Sequence, residues 1–209
     1  GAVLFTGDEE QTDYICLKDV TKTYVDGGKT IYAVRDADIN IGIGEFTVIY
    51  GPTGSGKTTL LNIIGGIDTC DSGTVCIEEN DINEYSESRL ADYRRRNISF
   101  IFKDGNLLDY LTVNDNITLF CDSKNQVLDN RLVLRSVGLE DKADCTAAKL
   151  TLCEQQKAAI AGAVAKNPQI ILCDEPLGKL KQSDAAEVLN LLRETCRLTG
   201  KTVIIATDN

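Results

Sequence analysis

Two short segments hold the residue types and spacings that could do chemistry. Gly51-Pro-Thr-Gly-Ser-Gly56-Lys57-Thr58 fits G-x-x-x-x-G-K-S/T at every fixed position. Glycines at 51, 54 and 56 let the backbone curl so that successive N–H groups face an anion, and Lys57 adds a point charge suited to the β and γ phosphates of a nucleotide. Thr58 offers a hydroxyl to Mg²⁺, and Ser55 and Thr59 complete the candidate nucleotide-binding set with Gly51, Gly54, Gly56 and Lys57. Further along, Ile170-Ile-Leu-Cys-Asp174-Glu175-Pro176 ends an apolar run in a pair of acids. Asp174 is the candidate for the Mg²⁺ shell. Glu175, pointing the other way from a strand end, is the candidate general base facing an attacking water.

Such residues need strands and helices behind them. The apolar run Phe46–Tyr50 enters the glycine-rich turn and Thr58–Ile64 leaves it with helical spacing, giving strand, loop, helix. Strand-like runs at Tyr14–Val20, Ile31–Ile41 and Glu45–Tyr50, separated by turns at Asp26–Gly28 and Gly42–Gly44, predict an antiparallel β region over about residues 1–50. A strand is expected at Gly73–Glu78, a polar helix at Ser86–Arg96 and a short buried strand at Ile98–Phe102. Leu111–Lys149 has apolar positions at helical spacing and reads as a helical insertion. Glu154–Lys166 is alanine-rich helix, Ile170–Cys173 a fully apolar strand, and Asp184–Arg197 an amphipathic helix with Ala185, Val188, Leu189 and Leu192 on one face. Thr202–Thr207 is the last strand, and the class is α/β.

Composition removes other chemistries. The 209 residues include no histidine, which excludes imidazole general bases, Ser/His/Asp triads and imidazole zinc sites. Lys plus Arg is 22 against Asp plus Glu at 32, a formal charge of −10, so nucleic acid is not an expected partner. No apolar run approaches the roughly 18 residues of a membrane span, and any membrane role is expected to come through a partner, without direct insertion. The eight cysteines form no C-x-x-C pair, and Cys16, Cys76 and Cys173 lie in apolar runs where buried, reduced thiols are expected.

With these motifs the sequence resembles the ATP-binding subunits of ABC transporters, in particular the lipoprotein-release, macrolide-export and cell-division branch, over nearly its whole length. The markers are Thr21-Lys-Thr-Tyr24, similar to the aromatic loop that stacks adenine; the phosphate loop; Leu60-Leu-Asn-Ile-Ile-Gly-Gly-Ile-Asp68; Arg94-Arg-Arg-Asn-Ile-Ser-Phe-Ile-Phe102; then Asn106-Leu-Leu and Leu111-Thr-Val. The resemblance implies one domain built on a P-loop NTPase (RecA-like) core, residues 51–85 and 151–209, with an antiparallel β subdomain over about 1–50 and a helical subdomain over about 86–150. It implies ATP and Mg²⁺ as ligands, a second ATP-binding subunit in a sandwich dimer, homomeric or heteromeric, and an integral membrane permease that holds the chain at the cytoplasmic, inner face of the cell membrane. Tyr24 is then the adenine-stacking candidate, while Arg94–Arg96 reads as a solvated run capping a helix end.

Four motifs depart from the family pattern. Lys103 stands where a glutamine reaches metal and water, a cation in place of a neutral ligand. Leu150-Thr-Leu-Cys-Glu-Gln-Gln-Lys157 replaces Leu-Ser-Gly-Gly-Gln, putting Leu152 and Cys153 where a partner's ATP must approach closely. Thr151-x-x-Glu154 there also reads as a helix capping box. Lys181 occupies the position of an aspartate that couples two sites, and Asp208 that of a histidine sensing the γ-phosphate. Nucleotide binding with weak or absent hydrolysis is the expectation. The alternative is a working ATPase, driving export or extraction from the membrane, with Glu175 as base. A guanine-nucleotide enzyme is disfavoured because no Asn-Lys-x-Asp occurs.

Overall fold

The computed structural model describes residues 2–5, 13–121 and 128–208. Its strands are β1 (Val3–Phe5), β2 (Asp13–Asp26), β3 (Lys29–Gly42), β4 (Phe46–Tyr50), β5 (Ser72–Ile77), β6 (Asn80–Asp81), β7 (Ile98–Phe102), β8 (Ile170–Asp174) and β9 (Thr202–Thr207). The α-helices are α1 (Lys57–Ile64), α2 (Glu87–Asn97), α3 (Val113–Phe120), α4 (Asn130–Ser136), α5 (Leu152–Ala165) and α6 (Gln182–Thr199).

One sheet runs β1-β4-β9-β8-β7, parallel throughout except for β1. β9 is buried along its whole length and β8 as far as Cys173, as strands covered by helices on both faces must be. α1 packs on one side with Leu61, Ile63 and Ile64 in a cluster shared with Leu172 and Ile204. α5 and α6 close the other side, where Ile160, Val188 and Leu192 meet Ile171, Val203 and Ile205. A second, antiparallel sheet runs β3-β2-β5-β6. α3, α4 and the inner face of α5 form a third cluster around Val113, Ile117, Leu134 and Ala158, where the sequence predicts helices.

Strand membership differs from the expected division of the chain. β4 is not part of the antiparallel region: it pairs in parallel with β9, Phe46 opposite Val203 through Tyr50 opposite Thr207. β5 and β6, expected in the core, belong to the antiparallel sheet, with Ile15 opposite Ile77 and Leu17 opposite Val75. β7, expected inside the helical insertion, is an edge of the parallel sheet beside β8. Apolar runs announce a strand, but the choice of sheet depends on partners far away in sequence.

Smaller expectations are met in part. Cys173 is fully buried, and burial pushes its thiol well up. Cys16 and Cys76 are only half-buried, facing each other across β2 and β5; all eight cysteines are free. Of the arginine run, Arg95 pairs with Asp92 at the surface, but Arg94 is half-buried and donates to the Gly66 carbonyl, tying α2 to the turn after α1.

Candidate nucleotide site

β4 ends at Tyr50 and the chain turns through 51–56 into α1, whose N-terminal N–H groups have no side-chain cap and no acidic residue in the first turn. That leaves the positive end of the helix dipole free to receive an anion. Gly56 is obligatory there. Its φ is 92°, and a Cβ would lie 2.0 Å from the Ala33 carbonyl oxygen, so the loop can approach β3 only with glycine. Lys57 is buried, its Nζ donating to the carbonyls of Gly51 (2.7 Å) and Pro52 (3.0 Å) and lying 3.5 Å from Glu175 Oε1.

Thr58 Oγ1 donates to Asp174 Oδ2 at 2.8 Å, joining the first turn of α1 to the end of β8. The other Asp174 oxygen, Oδ1, is buried with no hydrogen-bond partner. A hydroxyl and a carboxylate with one unspent oxygen form a hard-oxygen donor set, which suits Mg²⁺. The next residue, Glu175, has φ 49°, a left-handed conformation costing about 1–3 kcal/mol in a non-glycine residue. Its N–H donates to Ala206 O at 2.8 Å, and its Oε2 accepts from the Asp208 N–H at 3.2 Å. The carboxylate is thus held from two sides, by Lys57 and by the end of β9.

These groups line a cleft of about 510 Å³, a volume suited to a nucleotide. Tyr24, Gly54, Gly56, Lys57, Thr58, Thr59 and Glu175 from the sequence-predicted set face it. Asp174 reaches it through Thr58. Gly51 contributes the carbonyl that holds Lys57, and Ser55 instead faces a neighbouring cleft beside Tyr32, Val34 and Leu60. Tyr24 sits at the mouth and donates its hydroxyl to Asp68 Oδ2 at 2.7 Å, with Lys22 5.4 Å from the ring centre. Burial works to raise the Asp68 carboxyl, but hydrogen bonds from Lys22, Tyr24 and the Thr69 N–H outweigh it and hold it below the usual range. The Tyr24 hydroxyl is pushed up, by burial first and by the bond to Asp68 second.

Ile31, Tyr32 and Gly178 also line the cleft and carry no motif. Hairpin register could have found the first two, since Tyr24 lies opposite Ile31 and Thr23 opposite Tyr32.

The residues of the four departing motifs fall into place separately. Lys103 and Asp208 both line the cleft. The Thr53 hydroxyl, donating to Asp208 Oδ2 at 2.9 Å, holds that carboxyl below its ordinary range, with help from Glu175 and Lys57. Thr151 and Glu154 form the expected capping box of α5. Leu152 is exposed there, but Cys153 turns inward to the cluster around Ile101 and Ile160, so only the leucine projects as expected. Lys181 is the exposed N-cap of α6 and makes no capping bond. Lys181→Asp is expected to supply that cap and suit the helix dipole, adding about 1 kcal/mol. Thermal unfolding should rise by about 2–4 °C; no rise would show that the aspartate does not cap α6.

A parallel sheet, a glycine loop opening a helix and an acidic strand end beside it define a P-loop NTPase cassette. The chain belongs to the ABC transporter family, whose profile matches residues 34–178. It is 38% identical over 207 residues to the uncharacterized ABC transporter ATP-binding protein MJ0796 of Methanocaldococcus jannaschii, covering 93% of this chain and 87% of that one. It is 36% identical over 203 residues to the macrolide export ATP-binding/permease protein MacB of Shigella flexneri, covering 95% of this chain and 31% of MacB. A dimeric structure of MJ0796 superposes with a TM-score of 0.80 at 38% identity, over 93% of this chain and 88% of that one. A second MJ0796 dimer, in a post-hydrolysis state bound to ADP and Pi, gives 0.79 at 36% identity, over the same shares of the two chains. This is a family of ATP-binding cassettes that take ATP with Mg²⁺.

Proposed function

We propose that the chain is the ATP-binding unit of an ABC transporter complex, forming one ABC-type domain over residues 1–209, that binds Mg-ATP or ATP and hydrolyses it slowly or not at all, acting on a membrane permease as a binding and regulatory module. One observation carries this reading. The phosphate loop is complete, yet the cleft it opens into is lined by a cation, Lys103, and a carboxylate, Asp208, where the family pattern has glutamine and histidine. In this reading Tyr24 stacks on adenine, Gly54, Gly56 and Thr59 contribute N–H groups to the phosphates, and Lys57 leaves Glu175 to reach them. Thr58 and Asp174 would hold Mg²⁺, which supplies charge neutralisation at the phosphates. Asp208 stays anionic near the γ position and opposes the charge that builds there.

The relatives support partners of two kinds. MJ0796 is dimeric, and MacB carries a permease in its own name. Among the described residues no helix is long and apolar enough to cross a membrane, so a permease would hold the chain at the cytoplasmic membrane face. Exposed Leu152 at the start of α5 favours pairing with a subunit whose own signature is intact. A second reading, a working ATPase with Glu175 as base, draws support from the two-sided grip on the Glu175 carboxylate.

Titration with a fluorescent ATP analogue tests the binding half. Saturable binding, competed by ATP and weakened about 10-fold in Tyr24→Ala, is expected, since stacking of a base on an aromatic ring contributes about 1–3 kcal/mol. Lack of saturable binding by the folded protein would contradict the proposal.

A further inference from the structure

We propose that Lys103 is itself a phosphate-binding residue, which lets this cleft hold a nucleoside triphosphate with little dependence on a divalent cation. The inference rests on the nucleotide-site reading above and adds to it a ligand that neither motif contains.

The backbone around Lys103 is fixed. It follows β7 directly, and the buried Gln156 of α5 donates its Nε2 to the carbonyls of Phe102 (2.9 Å) and Lys103 (2.8 Å). The side chain then runs across the turn after Glu175. A Cβ on Gly178 would stand 3.1 Å from Lys103 Cε and 3.4 Å from its Nζ, so the bare glycine leaves the path along which the lysine lies. The adjacent ion pair between Lys179 and Asp104 ties the same two segments together. The Lys103 side chain itself is exposed, with its outer end beside the bare Gly178.

The charges in the cleft make the role specific. Lys57 must give up two carbonyls and Glu175 before it can reach a phosphate. Among the described residues the Lys103 ammonium has no hydrogen-bond or ion-pair partner, though it lines the same cleft as Lys57, Thr58 and Glu175. A positive group there attracts phosphate oxygens directly and repels a divalent cation brought to the same oxygens. Asp208 lines the same cleft.

Equilibrium binding of ATP, measured once in excess Mg²⁺ and once in EDTA, tests this on the wild-type chain, Lys103→Gln and Lys103→Arg. Wild-type affinities in the two conditions should agree within about 3-fold. Lys103→Gln should lose about 10-fold or more in EDTA and much less in Mg²⁺, the loss of one charge-assisted contact. Lys103→Arg should keep the wild-type pattern. Collapse of wild-type binding in EDTA, or the same Mg²⁺ dependence in wild type and Lys103→Gln, would overturn the inference while leaving the nucleotide site standing. Failure of the folded wild-type protein to bind in either condition would overturn both. Matching thermal unfolding curves show that the variants are folded.

Discussion

Lys57→Ala should lower ATP affinity by about 100-fold or more, because truncating one member of a buried, hydrogen-bonded charge cluster typically costs about 2–5 kcal/mol. Lys57 is the buried cation at the bottom of the cleft, and its ammonium is the donor that can exchange the Gly51 and Pro52 carbonyls for phosphate oxygens. The same substitution leaves Glu175 without its ion-pair partner, so thermal unfolding must be followed beside binding. A folded variant with affinity within about 3-fold of wild type would show that the phosphate loop is not what holds the nucleotide.

The second large effect concerns hydrolysis. Replacing Lys103 by Gln, Leu152 by Gly and Asp208 by His together should raise phosphate release by about 10²–10³-fold, the scale of one preorganised charge-stabilising group regained. Each single replacement should do far less, since groups acting as a unit are not additive. Cys153 is kept in this set: its side chain packs against Ile101 and Ile160, and a glycine there would open a cavity without clearing the outer surface. Release is measured in steady state with an intact partner signature available in the same dimer. No gain over the unmodified chain would place the limit elsewhere, with Lys181 the next position to change.

Much of the site was legible because its chemistry is local. The phosphate loop, the Asp174-Glu175 pair and the capping box at Thr151 are each written within eight residues or fewer, and the first two converge at the Thr58–Asp174 hydrogen bond. What escaped depends on distant parts of the chain. No local pattern separates β4, which joins β9 about 150 residues later, from the hairpin strands before it. Cys153 has an apolar neighbour in Leu152, and only the fold shows that one turns in and the other out. Tyr32 and Gly178 gain their place in the cleft through hairpin register and through Lys103, not through any motif.

Steady-state phosphate release by the unmodified chain, at saturating ATP and Mg²⁺ and beside a binding measurement on the same sample, bears most directly on the central claim. Saturable ATP binding with release close to background, and no further fall in Glu175→Gln, is the expected result. Sustained release well above background that disappears in Glu175→Gln would contradict it and establish the working ATPase instead.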